Sequence, residues 1–244
     1  MHNFSKERYS GELFEDWAVR KGIIPAEEYL LKKYLTDFSK SVIEAGTGGG
    51  RISFYIENMG FQNITAFDYV PKMIEHARSV AKEKKSLIKF QVADASDLPE
   101  YENSAFDYLI YLQQVLCFVP KELFFNSCAE AYRIAKKGGI VIFSFLDWNS
   151  RIYNPTLSWV TNTIRKIRRE EVLKQHLPWL KLNGKFNWKL FNKNQPTVFW
   201  IKKNEIISDL KNIGFSILEA KNNNQLFNDS DKTRKEMLYI VCRK

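Results

Sequence analysis

From Ser41 to Leu146 short β-rich runs alternate with helical stretches, a pattern that leaves a chain few ways to fold. The runs are Ser41–Ala45, Ile64–Asp68, Ile88–Val92, Phe106–Tyr111 and Ile140–Leu146, with helical stretches near Arg51–Met59, Pro71–Lys84 and Lys121–Lys136 between them. Pro71 suits a first helical turn, where its missing N–H has no intrahelical role. Met73, Ile74, Ala77 and Val80 then recur at helical spacing. Gly138-Gly139 is expected to close the third helix and open the fifth run. Such βα repetition predicts a parallel sheet covered by helices on both faces. Two helical segments, near Glu12–Arg20 and Ala26–Thr36, precede it. A helix near Lys203–Asn212, Gly214 and two last runs, Phe215–Ala220 and Met237–Cys242, follow. Only the polar loop Lys221–Glu236 separates those two runs, so no crossover helix is available and the last strand should be antiparallel. The expected fold class is α/β, with a seven-stranded, mostly parallel sheet whose last strand is antiparallel.

Composition sets the outer bounds. The 244 residues are 45% hydrophobic and 27% charged, the balance of a chain with a full core rather than a disordered one. The longest apolar run, Ile140–Leu146, is interrupted by Ser144 and falls far short of the roughly 20 residues a spanning helix needs. Met1–Trp17 is charged and has no apolar h-region, so no secretory signal is expected. Cys117, Cys128 and Cys242 cannot all pair with one another and lack zinc-ligand spacing. The expectation is a cytoplasmic protein without a metal site.

The chemistry-bearing residues cluster where strands end. Glu44-x-Gly46-x-Gly48-x-Gly50 stands at the junction of the first strand and the next helix. Glycines there let the backbone turn sharply and let a ligand approach where a Cβ would intrude. The dinucleotide fingerprint is not met, because Arg51 occupies the place of its third glycine. Asp68 ends the second strand, and a carboxylate there can accept both hydroxyls of an adenosine ribose. Asp94-Ala95 ends the third, suited to an adenine amino group, and Leu112-Gln113-Gln114 follows the fourth. Strand carboxyl ends line the ligand crevice of open α/β sheets, so these residues should converge. Taken singly, each is equally a helix-start loop or a surface acid.

As an ordered set they resemble class I methyltransferases dependent on S-adenosylmethionine, of the small-molecule type. Glu44–Gly50 resembles the family's first motif, with Thr47 where Cys or Ser is more usual. Asp68 matches the acidic residue on the ribose and Asp94-Ala95 the adenine-binding pair. Phe106-Asp107 and Lys137-Gly138-Gly139 match later landmarks, and Lys203–Asn212 with Gly214-Phe215 the closing helix and sixth strand. The resemblance implies a Rossmann-like sheet and S-adenosylmethionine as cofactor, with S-adenosylhomocysteine as product. It implies cofactor contacts from Glu44, Gly46, Thr47, Gly48, Gly50, Arg51, Asp68, Tyr69, Met73, Asp94, Ala95, Leu112 and Gln113. Tyr9 and Trp17 join them as aromatic groups of an N-terminal lid able to face the sulfonium. The expected organisation is a lid over 1–40, a cofactor-binding core over 41–146 and 203–244, and a substrate cap over 147–202.

That cap is the basic part of the chain. Twelve basic residues lie between Arg151 and Lys203 against Glu170 and Glu171, so the segment's +10 accounts for the whole net charge of +9. Five of the six tryptophans stand in or beside it: Trp148, Trp159, Trp179, Trp188 and Trp200. Leu157, Val160, Ile164 and Ile167 recur at helical spacing among Arg165, Lys166, Arg168 and Arg169, an amphipathic basic helix. Asp147, Trp148, Arg151 and Tyr153 follow the fifth strand and are the candidate substrate contacts. A general base, where the acceptor holds its proton tightly, has candidates in His176, Asp147, Tyr153 and Tyr9, none in a diagnostic motif. The expected partner is a small-molecule methyl acceptor, anionic or aromatic. The competing readings are an RNA methyltransferase using the basic segment, a nucleotide-binding oxidoreductase, and a silent binding protein. Against RNA base chemistry, Leu112-Gln113-Gln114 stands where an Asn-Pro-Pro-Tyr type of motif would be expected, and no Pro-Cys nucleophile follows.

Overall fold

A computed structural model describes residues 18–19, 22–150, 155–169, 176–177, 181–182, 185–186, 198–227 and 237–244. In chain order, α1 (Pro25–Tyr34), β1 (Val42–Ala45), α2 (Arg51–Asn58), β2 (Ile64–Asp68), α3 (Pro71–Lys84), β3 (Lys89–Val92) and β4 (Phe106–Tyr111) lead to a 3-10 turn at Val115–Phe118. Helix α4 (Lys121–Ile134) and the long β5 (Ala135–Asp147) come next, then a second 3-10 turn, Trp148–Ser150, and α5 (Pro155–Ile167). The short strands β6 (His176–Leu177), β7 (Lys181–Leu182) and β8 (Lys185–Phe186) precede β9 (Val198–Ile201) and α6 (Lys203–Ile213). Strand β10 (Ser216–Asn222), the one-turn α7 (Asn223–Phe227) and β11 (Met237–Arg243) close the described chain.

Across the sheet the order is β3-β2-β1-β4-β5-β11-β10. Strands β1 to β5 pair in parallel, with Ile43 opposite both Thr65 and Leu109. Strand β11 runs antiparallel to both β5 and β10. The seven-stranded path with its antiparallel last strand is the one the alternation predicts. A branch joins it: β9 pairs in parallel with Leu146 and Asp147 at the end of β5, and β6 pairs with β9.

Strand alternation fills two cores, one on each face of the sheet. Ile43, Leu109, Tyr111, Val141 and Phe143 face one way and pack with Phe124, Cys128 and Ala131 of α4 and Leu210 of α6. Val42, Ile64, Ala66, Tyr108, Ile110 and Ile142 face the other way, against Leu30 and Leu31 of α1, Ile56 of α2 and Ile74 of α3. Each fully buried aliphatic or aromatic side chain contributes about 1.5–3 kcal/mol to folding.

The elements depart from expectation in three places. Helix α4 stops at Ile134, so Gly138-Gly139 lie inside β5 and close no helix. Their work is pairing with the last residue: Gly138 N donates to Lys244 O (2.8 Å), and Lys244 N donates to Gly139 O (3.1 Å). The loop between β10 and β11 begins with a helical turn after all. Asn222 and Gln225 bond reciprocally, each side-chain oxygen accepting the other's backbone N–H (3.0 and 3.2 Å), which is a capping box. Helix α5 turns only part of its apolar stripe inward, Val160 and Ile164 being half-buried. Trp159 and Ile167, two turns apart on one side, are 69% and 77% exposed, while Arg165 is turned in and 8% exposed.

Candidate cofactor cleft

Strand β1 lies between β2 and β4, so the order of connection reverses there and a crevice opens at the strand carboxyl ends. That crevice encloses about 790 Å³ of space including its open mouth. Gly46 and Gly48 form its floor. Asp68, Tyr69 and Met73 stand on the β2 side, Asp94 and Ala95 after β3, and Gln113 after β4. Val70, Val115, Phe118 and Val119 supply apolar walls, which only the folded chain brings in.

Local chemistry fixes each wall. Asp68 is 8% exposed and ties two neighbours together, its Oδ2 accepting Gly48 N (2.9 Å) and its Oδ1 accepting Val70 N (3.0 Å). Burial pushes its carboxyl above the ordinary aspartate range, against those backbone bonds. Gly46 takes φ +64°, and a Cβ there would stand 2.4 Å from Val115 Cγ2. Only glycine leaves that space open beside the 3-10 turn. At Gly49 the constraint is a close approach. A Cβ there would lie 1.9 Å from the carbonyl oxygen of Ala18, because the chain before α1 crosses directly over the loop. Ala18 itself packs on Val70 and Met73. Asp94 turns the chain after β3, its Oδ1 accepting Ser96 N (2.9 Å) and Ser96 Oγ (2.8 Å).

Beside the crevice lies a smaller annex lined by Glu44, Gly46, Thr47, Gly48, Arg51, Ile52 and Gln113. Glu44 is buried and accepts hydrogen bonds from Ser53 Oγ and from Thr47 Oγ1 (2.7 Å). Burial outweighs these bonds and the nearby Arg51 and raises its carboxyl to about 7. Arg51 Nη1 and Nη2 donate to the two carboxylate oxygens of Glu27 (2.7 and 2.9 Å), and Nη1 also donates to Gly22 O (2.8 Å). Gln113, at φ +61°, donates from Nε2 to Glu27 Oε1 (2.6 Å). The annex brings the Glu44 carboxyl and the edge of the Glu27-paired Arg51 guanidinium together, groups of the kind that can meet a zwitterionic α-amino acid end. With the ribose-competent Asp68 and the glycine floor, the residues present fit S-adenosylmethionine.

Not every expected residue reaches the cleft. Gly50 caps the start of α2 at φ +87°. Leu112 is 1% exposed and belongs to the core with Tyr108 and Ile110, one step of alternation away from the opening. Asp147 is buried at the end of β5, where its Oδ1 accepts Asn149 N (3.0 Å) and caps the turn. Neither it nor Trp148, which packs against the core, lines the crevice. Tyr9, Trp17, Arg151 and Tyr153 lie outside the described residues, as does the His176 side chain. Among the described residues no group of three His, Cys, Asp or Glu side chains could hold a metal, and no helix is long and apolar enough to cross a membrane. Cys117, Cys128 and Cys242 are buried free thiols.

The sequence reading missed Glu27. Its signal was faint: a carboxylate in the first turn of α1, 24 residues from Arg51 and 86 from Gln113.

Residues 43–143 match a protein family described as a methyltransferase domain. The demethylmenaquinone methyltransferase of Leptospira interrogans is 27% identical over 168 residues, 66% of this chain and 64% of that protein. The match therefore spans less than two thirds of that relative's length. The ubiquinone biosynthesis O-methyltransferase of Xanthomonas campestris is 23% identical over 202 residues, 82% of this chain and 74% of that protein. Among solved structures, magnesium protoporphyrin IX methyltransferase from Synechocystis with bound SAH shares the fold at a TM-score of 0.65. It is 17% identical, with 100% of each chain covered.

Proposed function

From the match of residues 43–143 to a methyltransferase domain and the crevice described above, we propose that this chain is a class I S-adenosylmethionine-dependent methyltransferase that transfers a methyl group to oxygen or nitrogen of a small-molecule acceptor of anionic or aromatic character. The observation that carries the reading is the meeting of Gly46, Gly48, Asp68, Asp94 and Gln113 on one crevice at the switch point of the sheet. Relatives named demethylmenaquinone methyltransferase and ubiquinone biosynthesis O-methyltransferase support a small-molecule acceptor.

When bound, S-adenosylmethionine supplies a methyl group already activated on a sulfonium. The chain's own residues then have to bind, orient and exclude water. Asp68 accepts the ribose hydroxyls, and Asp94 with the Ala95 backbone receives the adenine edge. Tyr69, Val70 and Met73 give it an apolar bed. Glu44 and Arg51 would hold the zwitterionic end from the annex. Orientation of acceptor against donor in a dry site accounts for most of the acceleration such a reaction needs. The acceptor side belongs to the segment 147–202, inserted after the fifth strand, with Arg151 and Tyr153 as its first contacts. Asp147, buried and engaged with Asn149, holds that segment's root in place rather than acting as base.

Incubation with methyl-labelled cofactor and a matched panel of quinols, phenols, carboxylates, amines and total RNA tests this directly. Label is expected in a small aromatic or anionic acceptor. Label confined to a defined RNA nucleotide would contradict the proposal.

A further inference from the structure

Glu27 lies outside the matched methyltransferase segment, on the helix that precedes β1. It is 1% exposed, yet it is a carboxylate, and such a group persists in a core only when its oxygens are fully engaged. Four donors engage it. Two come from Arg51 at the start of α2, one from the Gln113 amide after β4, and one from its own helix, Ile24 N (3.2 Å). Arg51 and Gln113 are both walls of the annex that holds Glu44. Arg51 also binds Gly22 O, so the same guanidinium fastens the chain that crosses over Gly49.

We propose that Glu27 is a positioning residue for the cofactor: from a helix outside the motif it holds the Arg51 guanidinium and the Gln113 amide at the edge of the Glu44 annex. The inference rests on the reading of the crevice as the S-adenosylmethionine site. A buried Arg–carboxylate pair in fork geometry fixes both planes, which a single hydrogen bond does not. Gln113 sits at a positive φ unusual for a residue with a side chain, and its bond to Glu27 holds it there.

Electrostatics gives the arrangement a second effect. The groups facing Glu44 are Thr47 on its own loop, Ser53 and Arg51 of α2, and Glu27 of α1, with the buried Tyr239 of β11 beside the Glu27–Arg51 pair. Arg51 favours the ionised form of Glu44, and Glu27 opposes it. Neutralising Glu27 therefore leaves the Arg51 charge unopposed and eases ionisation of Glu44 toward lower pH.

The test is calorimetric binding of S-adenosylhomocysteine to the unliganded protein from pH 5.5 to 8.5, comparing the parent with E27Q and E27D. The parent should bind more tightly as Glu44 ionises, with a midpoint near 7. In E27Q the affinity at high pH should fall roughly tenfold and the midpoint should move to lower pH. E27D keeps the charge but is one methylene short of spanning both partners. It should lose affinity several-fold with an unmoved midpoint, and it carries the test should E27Q not fold. Parental affinity in E27D, or an E27Q variant that is merely less stable with unchanged affinity and midpoint, would overturn the assignment while leaving the site intact. A parent that does not bind S-adenosylhomocysteine at all would overturn both the assignment and the cofactor site on which it rests.

Discussion

Burial holds the Glu44 carboxyl up at about 7, against an ordinary value of 4.5, even though Ser53, Thr47 and Arg51 all pull it down. A carboxyl whose folded value is raised adds stability that is complete below about 4.5 and lost as pH rises through 7. Some 3 kcal/mol of the unliganded protein's stability is at stake across that window, as an upper bound. Glu44→Gln should therefore match the parent in urea unfolding at pH 4.5 and exceed it by up to about 3 kcal/mol at pH 8, while binding the cofactor product less well. Equal stabilities at both pH values would mean that Glu44 is not the strained group. At this scale the sequence exposed the residues that stand at strand ends. Glu44, Gly46, Gly48, Asp68, Asp94 and Gln113 converge because parallel strands in register end together. Leu112 misled because one residue of alternation turns a side chain from the cleft to the core. Glu27 was illegible because its partners are distant in sequence and nothing local marks a carboxylate as buried.

Between residues and the whole lie the elements, and the most exacting junction is the one between the glycine loop and the chain before α1. Gly49 admits the Ala18 carbonyl where any Cβ would overlap it, and the atoms such a Cβ would strike belong to the Ala18 backbone. Gly49→Ala should displace the crossing segment, at a cost of about 1–3 kcal/mol. Faster amide exchange at residues 22–24, weaker S-adenosylhomocysteine binding and an unaltered sheet core are the expected outcome. Unchanged exchange there would contradict the close approach. Elements with a strong period were readable: all seven strands of the main sheet path and the helices α1 to α4 and α6 stand within a few residues of where the pattern puts them, save β5, which begins five residues early. Gly138-Gly139 was misjudged because a glycine pair reads equally as a helix stop and as a site of close backbone pairing, and here Lys244 pairs with it. The α7 turn carried its own capping pair, Asn222 and Gln225, hidden within a polar run that otherwise looks like loop. For α5, spacing alone did not tell which side would meet the protein, and Arg165 rather than Ile167 turns inward.

For the molecule as a whole, two acidic clamps matter, one joining β4 to β5 and the start of β1, the other joining the sheet to α1. Partial burial raises Asp107, but Lys136 and Ser41 outweigh it and hold the carboxyl down at about 2. Glu219 behaves alike: Lys33, Tyr34 and Lys221 overcome partial burial and hold it at about 2, tying α1 to β10. Lowered values add stability that is present above about 4 and lost as pH falls through 2. Asp107→Asn should cost about 1–2 kcal/mol in urea unfolding at pH 7, with parent and variant converging near pH 2. A gap that persists at pH 2 would point to packing rather than charge. The α/β architecture was legible from periodicity, and the cofactor class from the order of motifs along it. The acceptor was not, because the segment between β5 and α6 has composition without a motif, and composition specifies charge but not shape.

We propose that the crevice at the β1–β4 switch point binds S-adenosylmethionine and its product through Asp68. Calorimetry of S-adenosylhomocysteine with the parent, Asp68→Ala and an NAD control tests it most directly. Micromolar binding by the parent, a loss of roughly 1–3 kcal/mol in the variant and no competitive NAD binding are the results expected. Unchanged affinity in Asp68→Ala, or tighter binding of NAD by the parent, would contradict it.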